Sequence, residues 1–101
     1  MEAVLPASAL ADGWLRVTPN PSPGAVEVRV ALPGEGPLSL AIFDVAGKEV
    51  VRLHQGPAPA GPLSIGWDGR AGDGRGVPAG LYLVRADRAN HTAVQRVVRV
   101  R

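Results

Sequence analysis

Apolar and polar residues alternate with a period of two along much of this chain. The clearest case is residues 25–32, where Val26, Val28, Val30 and Leu32 fall on one side and charged or small residues on the other. Because successive side chains of a strand point to opposite faces, this alternation is typical of a strand with one buried face. No segment keeps a helical period over ten or more residues. The pattern therefore predicts an all-β protein.

Seven apolar segments follow one another, separated by turns rich in glycine and proline. They comprise residues 14–18, 25–32, 38–45, 49–54, 63–68, 81–86 and 91–101. Short strands at spacings of about ten residues are typical of an immunoglobulin-like sandwich. We therefore expect a seven-stranded antiparallel immunoglobulin-like β-sandwich over residues 14–101. Residues 1–13 are weakly patterned, and we expect a linker or a disordered N-terminal segment there.

The connections between these segments carry specific turn signals. Residues 19–24 hold three prolines at alternate positions; because proline cannot donate to a ladder, they predict an edge or a crossing between strands. Residues 55–62 are rich in proline, glycine and alanine, and are predicted to form a loop. In the hairpin at residues 44–48, we expect Gly47 to have a positive φ and the carboxylate of Asp44 to accept hydrogen bonds from nearby amides.

The stretch WDGRAGDGRGVPAG, residues 67–80, is the strongest candidate for chemistry, with five glycines, two aspartates and two arginines. Asp68 and Asp73 could hold calcium if the glycines bent the chain around the ion. However, the third and fifth positions counted from Asp68 are Arg70 and Gly72, whereas an EF-hand has oxygen ligands there. We expect both aspartates to cap turns, with calcium as the weaker alternative. A phosphate loop is disfavoured because a strand, and not a helix, is predicted to follow.

Composition narrows the class of protein. A chain of 101 residues fits one domain, and it can bury roughly 60–65% of its unfolded surface. There is no cysteine, which excludes disulfides and thiolate metal sites. The net charge is only +2 and four residues are aromatic, so a nucleic-acid binder is not expected. No apolar run approaches the ~20 residues of a membrane span. The N-terminus lacks the basic region of a signal peptide.

No catalytic arrangement of side chains is predicted. His54 and His91 fall at the ends of predicted strands, where solvated histidines are expected, and no serine lies in a strand–helix elbow. An intramolecular isopeptide bond is disfavoured because Lys48, the only lysine, follows a hairpin glycine and should be exposed. We therefore expect a protein that is not an enzyme.

Aromatic residues raise the possibility of a sugar-binding surface. Trp14, Trp67 and Tyr82 could form a stacking platform for a carbohydrate. However, Trp67 has the same phase as Leu63 and Ile65, which favours a place in the core. The sequence leaves the role of Trp14 open. Tyr82 lies near the start of the sixth strand, where sandwiches often have a tyrosine whose hydroxyl fastens a corner.

An ordered set of motifs resembles a known family. The set comprises Pro19-Asn20-Pro21, IFDVAGKEVVRL at 42–53, WDGRAGDGRGVPAGLYLVRA at 67–86, and a basic and apolar last strand. Together they resemble the immunoglobulin-like domain of flagellar hook-capping proteins and the similar C-terminal sorting domains of type IX secretion. The residues that carry the structural signature are Asp44, Gly47, Trp67, Asp68, Gly69, Asp73, Gly74, Gly80 and Tyr82.

The resemblance implies a non-catalytic C-terminal module of a larger exported bacterial protein. In the sorting family, such a domain is recognised by secretion machinery after transit through the periplasm, and the cargo is attached at the cell surface. We therefore expect a secreted or cell-surface location, partners among secretion or assembly proteins, and no cofactor, nucleic acid or membrane span. The alternatives are a flagellar hook-capping scaffold domain, a structural or adhesion spacer and, less favoured, a carbohydrate-binding module.

The last strand leaves one question open. Val94, Val98 and Val100 lie on it beside several arginines. Such a strand could pair with a partner strand by β-augmentation. Arginines on an edge equally serve to prevent that pairing. The sequence favours neither possibility.

Overall fold

The computed structural model describes residues 14–100, so the linker expected at residues 1–13 lies outside the described residues. Seven strands are present: β1 Leu15–Thr18, β2 Val26–Leu32, β3 Gly36–Asp44, β4 Glu49–Ala58, β5 Gly61–Trp67, β6 Gly80–Arg88 and β7 His91–Arg99. One sheet has the order β1-β2-β5 and the other the order β4-β3-β6-β7, with antiparallel pairing throughout. The predicted immunoglobulin-like sandwich is confirmed. In the described part of the chain, no helix is long and apolar enough to cross a membrane.

The inner faces of the two sheets form the core. The predicted inward set of β2 is buried: Val26, Val28, Val30 and Leu32. Buried side chains of the four-stranded sheet include Leu38, Leu40, Ile42, Tyr82, Val84, Ala86, Ala93 and Val97. Burying one aliphatic side chain of this size contributes about 1.5–3 kcal/mol. These two facing layers are therefore the main source of stability.

The prediction of a loop at residues 55–62 is wrong, because most of these residues belong to strands. β4 continues to Ala58 and β5 begins at Gly61, so only two residues connect the strands. Two of the three prolines that suggested a loop lie on strands at sheet edges, Pro57 on β4 and Pro62 on β5, and Pro59 lies in the connection. An edge strand can leave the nitrogen of a proline unpaired, because one side of its backbone has no neighbouring strand.

Residues 19–24 cross from one sheet to the other, as the alternating prolines predicted. β1 belongs to the three-stranded sheet, but Ser22 forms a parallel bridge with Arg99 at the end of β7. The Ser22 amide donates to the Val98 carbonyl at 2.8 Å, and the Val100 amide donates to the Ser22 carbonyl at 2.8 Å. The chain then returns to the three-stranded sheet as β2. This crossing closes one flank of the sandwich.

Candidate functional site

The connection between β5 and β6 contains two Asp-Gly-Arg turns with the same geometry. Asp68 accepts a hydrogen bond from the Arg70 amide at 3.0 Å, and Asp73 accepts one from the Arg75 amide at 3.0 Å. In each turn the other carboxylate oxygen lies 3.7 Å from Nε of the same arginine. Each aspartate thus closes its own turn, and its charge is balanced by a neighbouring arginine.

The central glycines of these turns differ in their surroundings. Gly69 has a φ of +81° and Gly74 a φ of +89°, a region that other residues avoid. A methyl group added at Gly74 would meet nothing within 4 Å. At Gly69 it would lie 2.5 Å from the guanidinium of Arg99. Glycine is therefore favoured at position 69 by its backbone conformation, and a larger residue there would also have to displace the end of the Arg99 side chain.

Arg99 fastens three segments at this end of the sandwich. Its guanidinium carbon lies 5.2 Å from the ring centroid of Trp67, within the range of a cation–π contact. One terminal nitrogen donates to the Gly24 carbonyl at 2.9 Å, which ties β7 to the chain just before β2. The sequence predicted arginines on the outer side of the last strand, and for Arg99 this is wrong. It shares the inward phase of Ala93 and Val97.

Hydrogen bonds to backbone carbonyls fold the connection back onto itself. The Trp67 indole donates to the Arg70 carbonyl at 2.9 Å, and the Val77 amide donates to the Gly69 carbonyl at 2.9 Å. The Gly72 amide donates to the carbonyl of Val50 on β4 at 3.0 Å. A glycine-rich segment is therefore held as a small, docked hairpin.

Tyr82 forms the corner at the start of β6. Its hydroxyl donates to the Pro78 carbonyl at 2.7 Å, the arrangement of a tyrosine corner. The ring packs against Trp67 in a T-shaped pair, with centroids 5.8 Å apart and planes at 68°. Gly80, with a φ of +149°, lets the chain enter the strand between these contacts. The tyrosine corner thus holds the C-terminal end of the connection, and the two Asp-Gly-Arg turns shape its earlier part.

The β3–β4 hairpin has the geometry that its sequence predicted. Gly47 has a φ of +90°, and its amide donates to the Asp44 carbonyl at 3.0 Å. The Asp44 carboxylate accepts from the amides of Ala46 and Lys48, both at 2.9 Å. The aspartate is thus occupied by the turn, like those of the connection.

Two open clefts flank the connection. A cleft of about 550 Å³ is lined by residues that include Val51, Leu53, Trp67, Arg70 and Gly72. A second, of about 490 Å³, is lined by residues that include Lys48, Glu49, Asp73, Pro78 and Tyr82. The polar groups of the connection in these clefts already have partners within the turns. In the part of the chain that the structure describes, no three histidine, aspartate or glutamate side chains cluster to hold a metal.

The other candidates from the sequence are not brought together. Trp14, Trp67 and Tyr82 are only 4%, 2% and 6% exposed, so they fill the core, as favoured for Trp67, and do not form the sugar platform that was the weaker alternative. His54 lies inside β4, not at its end, because that strand is longer than predicted. His91 begins β7, at the opposite edge of the same sheet. The two histidines therefore share no site.

Sequence reasoning did not assign the structural roles that two residues have at this end of the molecule. The inward position of Arg99 could have been predicted from the alternation of the strand. Arg99 lies two residues after the buried Val97, and residues two apart on a strand point to the same face. Asn20 donates to the Arg96 carbonyl at 2.7 Å and accepts from the Val98 amide at 3.0 Å. An asparagine between two prolines is a signal for such a side-chain bridge, because the prolines themselves cannot donate.

Comparison with protein families gives a match across most of the domain. A family described as the FlgD Ig-like domain matches residues 17–91. No curated protein matches the chain. The matched range contains both the β3–β4 hairpin and the whole connection between β5 and β6.

Solved structures with the same fold come from secretion and flagellar proteins. PorZ of Porphyromonas gingivalis, described as an essential surface component of the type-IX secretion system, is 27% identical with a TM-score of 0.56. FlgD of Xanthomonas campestris, described in connection with the hook capping essential for flagellar assembly, is 24% identical with a TM-score of 0.58. Dimeric latent PorU of P. gingivalis is 19% identical with a TM-score of 0.66.

These neighbours differ in how much of their length corresponds to this chain. The alignments cover 94%, 90% and 85% of this chain for PorZ, FlgD and PorU, respectively. They cover 12% of PorZ, 73% of the FlgD chain and 9% of PorU. The chain thus corresponds to a small part of PorZ and PorU. The likeness to PorU and FlgD, below 25% identity, is one of fold alone.

Proposed function

Because the chain belongs to the FlgD Ig-like domain family, we propose that it is a non-catalytic module of a larger exported bacterial protein. In this proposal it acts as a C-terminal sorting and cell-surface attachment domain of the type IX kind. The observation that carries the proposal is the likeness to PorZ over 94% of this chain at 27% identity. PorZ is itself a surface component of that secretion system.

The internal bonding of the most characteristic stretch supports a scaffold role. Asp68 and Asp73 are occupied by their own turns, and Trp67 and Tyr82 are buried with their polar atoms bonded to carbonyls. Groups that are engaged in local hydrogen bonds would have to give up those bonds before they could bind a substrate. The stretch gives the sandwich a rigid end. A rigid end suits a module that secretion machinery recognises by its shape and surface.

A secretion assay tests the proposal. The full chain is fused behind a periplasm-targeted reporter and expressed in P. gingivalis, with the reporter lacking the chain as control. We expect the fusion at the cell surface or in the medium. In a strain lacking PorZ it should stay in the periplasm, because PorZ is essential to that system. Periplasmic retention of a folded fusion in the parent strain would count against the sorting role.

A flagellar scaffold role is the second candidate, favoured by the family match and by the 73% of the FlgD chain that the domain covers. It is tested by replacing the Ig-like domain of X. campestris FlgD with this chain in a strain lacking FlgD. Restored motility on soft agar would support a hook-capping role. A stable chimera without motility would count against it. Failure of both assays with folded protein would leave the structural spacer.

A further inference from the structure

Each strand edge of the sandwich carries features that oppose pairing with another strand. On the free side of β7, Asn20 and Ser22 occupy the carbonyls of Arg96 and Val98 and the amides of Val98 and Val100. On β4 the ladder has two irregularities, and Pro57 lacks an amide proton. The other sheet ends in the four-residue β1 and in β5, which contains Pro62. Short strands, prolines and bulges are the usual means of preventing edge pairing. The open question about β-augmentation is thus answered in favour of protection at the C-terminal end of the β7 edge, from Arg96 onward.

The outer faces of the two sheets differ in character. The outer face of the three-stranded sheet presents polar, charged or small residues: Arg16, Thr18, Glu27, Arg29, Ser64 and Gly66. On the four-stranded sheet, register and burial place an apolar group on the outside, which we call the β6–β7 face: Phe43, Leu81, Leu83, Val94 and Val98. Leu81, Val94 and Val98 are 37%, 41% and 39% exposed. Contiguous exposed apolar side chains mark interaction surfaces.

Arg96 lies in the middle of the β6–β7 face. It is exposed, falls between Val94 and Val98 on β7, and is paired in register with Leu83 of β6. The neighbouring Arg85 is 3.2 Å from a carboxylate oxygen of Asp87. Within residues 14–100 no carboxylate lies within ion-pair distance of Arg96. The face therefore combines apolar side chains with a positive charge that has no partner in the described fold.

We propose that the β6–β7 face binds an amphipathic helix whose apolar side is flanked by carboxylates. Strand addition is disfavoured by the protected edges, and in layered domains a helix is the usual cover for an apolar sheet face. A carboxylate beside the leucines of such a helix complements Arg96. A second copy of the chain fits less well, because packing two identical faces together would bring the arginines of both copies close to one another, and their like charges repel. The inference rests on the proposed function, since it gives the module a protein partner.

Binding of designed peptides to the full chain tests this surface. The probe is a synthetic helical peptide with leucines along one side and glutamates on its flanks, and the matched probe has lysines on its flanks. Amide chemical shifts are followed by NMR during titration. We expect the glutamate peptide to move the amides of residues 81–85 and 94–98, with the lysine peptide binding about tenfold more weakly.

Charge reversal provides the matched variants. Arg96→Glu should weaken the glutamate peptide about tenfold and favour the lysine peptide, whereas Arg16→Glu, the same change on the other sheet, should leave both unchanged. If Arg96→Glu fails to fold, Val98→Thr tests the apolar part of the face instead and should weaken the glutamate peptide, because it removes an apolar contact. Equal binding of both peptides, shifts outside the β6–β7 face, no binding, or a dimer formed through this face would each overturn the inference. Because the assay uses the isolated chain, its failure is separate from failure of secretion.

Discussion

Gly69 and Gly74 occupy equivalent positions in the two Asp-Gly-Arg turns, with φ values of +81° and +89°. Gly74→Ala should lower the free energy of unfolding by about 1 kcal/mol. Alanine is strained at positive φ, and this strain is partly offset because alanine reduces the conformational entropy of the unfolded chain. Gly69→Ala should cost about 2–3 kcal/mol, because the methyl group also displaces Arg99 from Trp67 and from the Gly24 carbonyl. Urea unfolding of both variants measures the difference. Equal losses would show that Arg99 moves aside freely.

Tyr82 offers a test of the corner that is independent of the glycines. Tyr82→Phe keeps the ring against Trp67 and removes only the hydrogen bond to the Pro78 carbonyl. We expect the free energy of unfolding to fall by about 1 kcal/mol, because the freed carbonyl can reach solvent. Thermal unfolding checks this value. An unchanged melting temperature would mean that packing alone holds the corner.

At the scale of single residues, local roles were more accessible from the sequence than distant ones. The hydrogen bonds of Asp44 and the positive φ of Gly47 depend on residues within the same turn, so turn chemistry predicts them. The contact of Arg99 with Gly69 joins residues far apart in the chain. This contact forms only because the end of β7 packs against the connection that follows β5. No local sequence pattern specifies that packing.

At the scale of elements, the crossing at residues 19–24 protects β7, and Asn20 is its side-chain bridge. Asn20→Ala removes both hydrogen bonds to β7, and we expect a loss of about 1–2 kcal/mol. In hydrogen exchange, the Val98 amide should lose protection. The Val97 amide should stay protected, since Val97 pairs with Tyr82 on β6 and serves as the internal control. Equal acceleration at both amides would indicate global unfolding and not a local loss of the cap.

The strands themselves were predicted to different degrees. The alternation of β2 places its buried and exposed residues correctly because one face of that strand meets the core and the other meets solvent. The extension of β4 through Pro57 was missed because proline is a loop signal unless the strand is known to lie at an edge. Edge position is a property of the whole sheet, and the local sequence does not contain it.

At the scale of the whole molecule, the calcium alternative gives a clear test. The connection carries two aspartates and two arginines in adjacent turns, so its local charge is balanced. We expect millimolar calcium to leave the melting temperature unchanged, with magnesium as the control for ionic strength. A rise of several degrees with calcium alone would show that Asp68 and Asp73 leave their turns to bind the ion, as a ligand of the native state stabilises it.

The most direct test of the central claim uses a reporter with the full chain fused to the reporter's C-terminal end. The measurement is the fraction of this fusion that reaches the surface of a type IX-competent cell. The account predicts that the wild-type fusion is at the surface. A Trp67→Ala fusion that protease sensitivity shows to be unfolded should stay in the periplasm; the loss of a buried tryptophan costs about 3–5 kcal/mol, a large part of the stability of a small domain. Surface delivery of the unfolded fusion, or periplasmic retention of a protease-resistant wild-type fusion, would contradict the account.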